Sequence, residues 1–155
     1  MVLFEPLSLH VPPEVNLGPA DLLTAEGEDL GVAPAPAFAI GHLVGDDHLE
    51  AAREMYRAFA AGDRATVERL LVDDFMFSSP PDPTLDRAGY FERCWPGAGQ
   101  GQAFEFVRLL PAGQEVIVTY EMTDRDGRRG RNTEVLTFRG EQICRAEVYF
   151  GWNVE

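Results

Sequence analysis

Apolar residues from Asp46 onward recur first at the spacing of a helix and later at the spacing of a strand. The first helical stretch contains Leu49, Ala52, Met55, Tyr56 and Phe59. Asp46 or Asp47 is expected to cap this helix, because an aspartate oxygen can accept hydrogen bonds from the free amides of the first turn. Gly62 is expected to end the helix and Asp63 to cap a second one.

A short strand is predicted at residues 75–79, before a run of prolines. Asp86 then caps a predicted third helix, which Pro96 and Gly97 close. Alternating apolar and polar residues predict four more strands, at 103–110, 114–123, 130–138 and 142–152. Helices followed by a meander of strands predict an α+β domain, in which a helical layer packs on a curved antiparallel sheet.

Residues 1–45 have a different composition and are predicted to form a separate arm, with the domain at 46–155. Six of the eleven prolines and no basic residue fall before residue 46. Proline-rich acidic sequence resists packing into a core, which favours a flexible or loosely docked arm. Apolar residues such as Phe4, Leu22 and Phe38 leave a second interpretation open, a lid or partner-binding strap over the domain.

The net charge of −13 argues against nucleic acid as a partner, because phosphate binding needs a basic surface. No apolar run is long enough to predict a membrane span, and the proline-containing N-terminus does not predict a signal peptide. Cys94 and Cys144 are far apart in the sequence and predict no disulfide framework, so a cytoplasmic location is expected. The three histidines have no metal-site spacing, and no cofactor is expected.

Three segments resemble the nuclear transport factor 2-like superfamily, and most closely its small SnoaL-like bacterial proteins. They are AAREMYRAFAAGDRATVERLLVDDFMFSSP, DRAGYFERCWPGAG and GRNTEVLTFRGEQICRAEVYFG. The resemblance implies a cone in which three N-terminal helices close one side of a strongly curved antiparallel sheet. It also implies an apolar cavity for a small molecule and a homodimer formed through the outer face of the sheet. The superfamily contains isomerases, cyclases, dehydratases, epoxide hydrolases and binding modules, so the fold alone does not define an activity.

Ketosteroid isomerases of this superfamily provide a residue-by-residue comparison. Their general base precedes the proline that ends the first strand, and here that position is Ser79. Their oxyanion-binding tyrosine corresponds by count to Met55, with Tyr56 one residue away and therefore about 100° around the helix. Their second oxyanion donor, an acid on the penultimate strand, corresponds to Glu134.

Glu134 is therefore the candidate catalytic residue. Asn132, Glu134, Leu136 and Phe138 share one face of a predicted strand. If that face is the concave one, the low dielectric would raise the pKa of the Glu134 carboxyl and suit it to proton transfer. Alternatively, Glu134 lies on a solvated face or pairs with Arg131 or Arg145. The other candidate substrate-binding residues are Ser79, Asn132, Met55, Tyr56, Tyr90, Trp95, Phe77, Val148 and Phe150.

Several of these residues have a second interpretation. Ser79 either donates a hydrogen bond in the cavity or only ends a strand, and Tyr90 and Trp95 either line the cavity or fill the core. In the last strand, the isomerase comparison implies that Cys144, Ala146, Val148 and Phe150 face inward. The overall expectation is a cofactor-independent acid/base enzyme, of cyclase, isomerase or dehydratase type, acting on a hydrophobic oxygenated molecule. The alternative is a non-catalytic ligand-binding or dimerisation module.

Overall fold

The computed structural model describes residues 41–154. The helices are α1 (Gly41–Ala61), α2 (Arg64–Leu70) and α3 (Arg87–Arg93), and a 3-10 turn follows at Trp95–Gly97. The strands are β1 (Leu71–Ser78), β2 (Leu85–Asp86), β3 (Ala103–Ala112), β4 (Glu115–Thr123), β5 (Arg129–Arg139) and β6 (Gln142–Asn153). This order confirms the predicted α+β class. Most of the predicted arm lies outside the described residues, so the domain boundary and both interpretations of the arm stay predictions.

Two of the three predicted helix caps are correct. The Asp63 carboxylate accepts a hydrogen bond from the Thr66 amide at 3.1 Å, and that of Asp86 accepts one from the Gly89 amide at 2.8 Å. The predicted cap at Asp46 or Asp47 is wrong, because α1 already begins at Gly41. No proline occurs between Gly41 and Asp47, so nothing in this stretch stops the helix.

The sheet has six strands in the order β2-β1-β6-β5-β4-β3, and it is curved without closing. Its pairings are antiparallel, as predicted, except that β1 runs parallel to β6. A first strand that enters after two helices and lies beside the last strand is a long-range pairing, which local alternation does not specify. The strongly curved sheet beneath a helical layer confirms the cone implied by the resemblance.

The pairing of β5 with β6 shifts in register at two places, between Thr137 and Phe138 and between Arg131 and Asn132. The first shift places Ile143 opposite Phe138, and Ile143 rather than Cys144 is fully buried. The prediction that Cys144 faces inward is therefore wrong, because an irregularity in the pairing reverses the alternation at that point.

The core lies between the helices and the concave face of the sheet. Its fully buried members include Phe75 and Leu71 of β1, Val116 and Val118 of β4, and Leu136 of β5. At one end of the core, the His48 ring stacks on Phe138 at 4.2 Å, and its Nε2 donates a hydrogen bond to the carbonyl oxygen of Gly140 at 2.8 Å. Among the described residues, no helix combines the length and apolar character that crossing a membrane requires.

Candidate functional site

The Tyr56 hydroxyl of α1 donates a hydrogen bond to Oε2 of Glu134 of β5, at 2.6 Å. The two residues are 78 positions apart in the sequence and meet inside the cone. The comparison by count pointed to Met55, but the structure brings Tyr56 to the carboxyl. Met55 and Tyr56 are both buried, because the face of α1 that packs on the sheet is wide enough to include two successive residues. The predicted alternatives for Glu134, a solvated face or a pair with Arg131 or Arg145, are wrong.

The environment of Glu134 disfavours its charged form. Its side chain is half-buried on the concave face, with Val118 and Val148 opposite it on the neighbouring strands. Desolvation raises the pKa of the Glu134 carboxyl to about 7, although the hydrogen bond from Tyr56 acts in the opposite direction. Its pKa therefore lies much closer to neutral pH than that of an ordinary glutamate, which suits the carboxyl to proton transfer.

Aromatic rings surround the Tyr56 side chain. Its ring centroid lies 5.3 Å from those of Phe104 and Phe106, and 5.1 Å from that of Tyr120. Burial and the charge of Glu134 both raise the pKa of the Tyr56 and Tyr120 hydroxyls, so both remain protonated donors at neutral pH. The carboxyl thus lies beside a group of aromatic rings with two hydroxyl groups. We call this group the aromatic wall, and it consists of Tyr56, Phe104, Phe106 and Tyr120.

Asn132 links β4, β5 and β6 beside this wall. Its Oδ1 accepts a hydrogen bond from the Gly151 amide at 3.1 Å, and its Nδ2 donates to the Tyr120 hydroxyl at a long 3.5 Å. Gly151 has to be a glycine, because a Cβ added there would lie 2.1 Å from the carbonyl oxygen of Arg131. Gly151 approaches the Arg131 backbone closely at the register shift between Arg131 and Asn132, and this brings the Gly151 amide to the Asn132 side chain.

Tyr90 of α3 is a further buried hydroxyl group, and burial together with the negative charge of Glu134 raises its pKa. The Tyr90 ring is buried and packs against Phe75 at 5.4 Å and Phe77 at 5.3 Å. The Cys94 thiol is also influenced by the charge of Glu134. Burial is the main cause that raises its pKa to about 11, so the thiol stays protonated at neutral pH. The predicted residues Tyr90 and Phe77 thus belong to the core around the carboxyl.

The remaining predicted residues have different positions. Val148 lies opposite Glu134 and Phe150 opposite Asn132 in the register of β6 with β5. Trp95 packs edge-on against Phe59 at 5.8 Å, in the 3-10 turn that follows α3. Ser79 closes a turn through reciprocal backbone hydrogen bonds with Asp82, and within the described residues no hydrogen bond joins it to Glu134.

Tyr120 was not among the predicted site residues, although its inward orientation followed from the strand alternation. In the structure, Tyr120 lies opposite Asn132 in the pairing of β4 with β5. The alternation along this strand was therefore the available signal for Tyr120. Phe104 and Phe106 show the same signal, since they alternate with the exposed Glu105 and precede the register shift of β3.

Two surface clefts lie away from this group of residues. One, of about 600 Å³, lies between α2 and α3 and is lined by charged residues and Phe91. The other, of about 400 Å³, is on the sheet near Cys144. Neither cleft is lined by Glu134, Tyr56 or Tyr120. We regard the concave face as the candidate site, because it combines a carboxyl of raised pKa with further buried polar groups.

The chain belongs to the SnoaL-like domain family, whose profile matches residues 52–146. This match includes α1 from Ala52, Glu134 and the first half of β6. No curated protein matches the chain. The family and the fold together identify the nuclear transport factor 2-like superfamily predicted from the three segments.

Solved structures with the same fold include proteins of different activities. A putative ketosteroid isomerase from Kribbella flavida DSM 17836 is 18% identical, with a TM-score of 0.62 over 72% of this chain and 82% of that one. An NTF-2-like protein of unknown function from Burkholderia xenovorans LB400 is 22% identical, with a TM-score of 0.63 over 73% and 89%. An LEH-like epoxide hydrolase from M. tuberculosis is 18% identical, with a TM-score of 0.57 over 69% and 84%. At these identities the likeness establishes the fold alone.

Proposed function

We propose that this protein is a cofactor-independent acid/base enzyme that moves a proton on a hydrophobic, oxygenated small molecule. The observation that carries the proposal is the contact between the Tyr56 hydroxyl and a Glu134 carboxyl whose pKa is about 7. A general acid or base works best when its pKa lies near the working pH. The names of similar folds, which include a putative ketosteroid isomerase and an epoxide hydrolase, are compatible with this class of chemistry.

The proposed reaction step is the removal of a proton next to a carbonyl group. The C–H bond breaks, its proton moves to the Glu134 carboxylate, and the electron pair passes to the carbonyl oxygen as an enolate. In an isomerisation, Glu134 returns the proton to a different carbon of a conjugated enolate. In a ring closure, the enolate carbon instead forms a bond to a second carbonyl carbon of the same molecule, and Glu134 returns the proton to the alkoxide oxygen that this produces. Tyr56 holds Oε2 of Glu134 and leaves Oε1 free to face the substrate. The aromatic wall supplies the apolar surface for the substrate.

The test uses 1-indanone, an aromatic ketone with exchangeable protons beside its carbonyl. In D₂O, the proposal predicts that the protein accelerates the loss of these protons from the NMR spectrum. The rate should rise with pH through about 7, as Glu134 ionises into its basic form. Glu134→Gln should reduce the acceleration by roughly a hundredfold or more. The exposed Glu105→Gln provides the matched control and should leave it unchanged.

Two results would contradict the enzyme proposal. One is exchange by the wild type at the uncatalysed rate, and the other is exchange that Glu134→Gln does not slow. Saturable binding of 1-indanone without exchange would instead favour the alternative function, a ligand-binding module.

The outer face of the sheet supports a second proposal, a homodimer formed through this face. Tyr149 and Trp152 of β6 are 56% and 62% exposed, and Leu110 of β3 is 51% exposed. Such large apolar side chains on one sheet face are typical of a protein interface. Tyr149→Glu should then convert a dimer into a monomer in analytical ultracentrifugation. A wild-type protein that sediments as a monomer at high concentration would contradict this proposal.

A further inference from the structure

The amide of Asn132 has only one orientation that satisfies both of its neighbours. The Gly151 backbone N–H is a donor only, so the group that faces it at 3.1 Å must be the acceptor, Oδ1. The other side of the amide, the Nδ2 donor, therefore faces the Tyr120 hydroxyl. The oxygen and nitrogen ends of the amide have nearly the same shape, so shape alone does not distinguish them. The Gly151 N–H distinguishes them, because it can bond only to the oxygen.

This orientation determines the direction of the Tyr120 hydroxyl. Because the Tyr120 oxygen accepts from Asn132, its own proton has to point elsewhere. Among the described residues, no acceptor takes this proton. Tyr120 is only 6% exposed, and its ring lies against that of Tyr56, which itself contacts Glu134. The proton is therefore a buried donor without a partner, beside the candidate site.

We infer that Tyr120 donates a hydrogen bond to the oxygen of a bound ligand, and that Asn132 is the positioning residue that turns the Tyr120 hydroxyl toward it. The inference rests on the proposed function, because the same ligand would react with Glu134. It defines the ligand class as molecules with a carbonyl or enolate oxygen on an apolar body. It also revises the expected role of Asn132, whose two amide atoms are both used within the protein.

The geometry explains why the donor would favour reaction as well as binding. The oxygen gains negative charge when the proton beside a carbonyl is removed, and a fixed donor stabilises this developing charge. Tyr120 remains protonated for this purpose, since burial and the nearby Glu134 charge both raise its pKa. Asn132 prevents the hydroxyl from rotating its proton toward β5, so little reorganisation is needed.

The experiment measures the carbonyl stretching frequency and the dissociation constant of 1-indanone with the full chain. A hydrogen bond from Tyr120 should shift the carbonyl band of the bound ketone to lower frequency. Tyr120→Phe keeps the ring and removes the donor, so it should abolish the shift and weaken binding about tenfold.

Asn132→Asp tests the positioning role with almost no change in shape. An aspartate offers an acceptor on both sides, so one oxygen still accepts from Gly151 while the other takes the Tyr120 proton. We expect the carbonyl shift to disappear, as in Tyr120→Phe, and the double variant to show no further loss of affinity. Asn153→Asp on β6 adds the same charge at an exposed position and should retain the shift.

Three results would overturn the inference: no saturable binding by the wild type, an unchanged carbonyl band in Tyr120→Phe, or an unchanged band in Asn132→Asp. The failure of the proposed function gives a different pattern. In that case the Tyr120-dependent shift is present, but the wild type does not accelerate proton exchange. If Glu134-dependent exchange occurs and the band is insensitive to Tyr120, the function stands and this inference fails. Thermal unfolding of each variant verifies that it is folded.

Discussion

The Tyr56 hydroxyl on the first helix and the Glu134 carboxyl on the fifth strand are joined by a 2.6 Å hydrogen bond across the interior of the cone. This contact connects the helical layer to the sheet through two polar groups in a largely aromatic surrounding. A phenol is a donor that stabilises a neighbouring carboxylate without adding a charge. The pair thus allows a half-buried carboxyl to ionise near neutral pH, and this property can be tested directly.

Removal of the Tyr56 hydroxyl should raise the pKa of Glu134. The hydrogen bond lowers this pKa and opposes the larger effect of desolvation, so Tyr56→Phe should move it above the value of about 7. An NMR titration of the ¹³C-labelled side-chain carboxyl measures the change. Tyr149→Phe is the control, because Tyr149 is exposed and should leave the titration unaltered. A pKa that falls, or stays the same, in Tyr56→Phe would refute the proposed role of this hydrogen bond.

Glu134 should make the protein less stable as pH rises from about 4.5 to about 7. Its pKa is raised in the folded state from the ordinary value of 4.5, so the folded protein binds more protons in this window. Glu134→Gln removes this dependence. Relative to the wild type, the variant should gain roughly 2–3 kcal/mol in free energy of unfolding across the window.

Urea denaturation at several pH values measures this difference between Glu134→Gln and the wild type. The exposed Glu105→Gln should give a difference that is nearly independent of pH over the same range. Parallel curves for Glu134→Gln and the wild type would mean that the carboxyl is solvated.

Glu121 should have the opposite effect on pH dependence. Arg129 and Arg131 of the adjacent strand both bond to its carboxylate, and these contacts lower its pKa. The stabilisation is present above the ordinary carboxyl pKa and is lost as pH falls below it. Glu121→Gln should therefore destabilise the protein at pH 7 and have a smaller effect at pH 3, as measured by urea denaturation. The control is Glu141→Gln at an exposed turn, which should change the stability little at either pH. If Glu121→Gln lowered the free energy of unfolding equally at pH 7 and pH 3, the ion-pair explanation would be wrong.

Gly151→Ala should destabilise the fold by about 1–3 kcal/mol, because the added Cβ overlaps the carbonyl oxygen of Arg131. The strand has to move at the register shift, and the Gly151 amide should then lose its contact with Asn132. Thermal unfolding measures the stability, and the Asn132 side-chain amide resonance reports the contact. Gly97→Ala is the matched control, since a Cβ there meets no atom within 4 Å. Equal stability of the two alanine variants would show that the close approach at Gly151 is absent.

Local sequence was sufficient for the class of fold and for which residues of β5 share a face. The caps at Asp63 and Asp86 follow from a short carboxylate before a helical run, and strand alternation follows from the two-residue pleat. Glu134 and Asn132 share one face for this reason, while the sequence left open whether that face is the concave one. The caps and the alternation depend on neighbours within a few residues, so the local sequence determines them.

The tertiary structure decided which partners these residues have. The packing of α1 on the sheet brings the hydroxyl of Tyr56 to Glu134, whereas a count along the chain pointed to Met55. The parallel pairing of β1 with β6 and the two register shifts of β6 also depend on contacts between distant segments. Sequence periodicity fixes the face on which a side chain lies, but packing between elements sets their angle and register. The shared face of Asn132 and Glu134 was therefore predictable, whereas the concave orientation of that face and the hydrogen-bond partners were not.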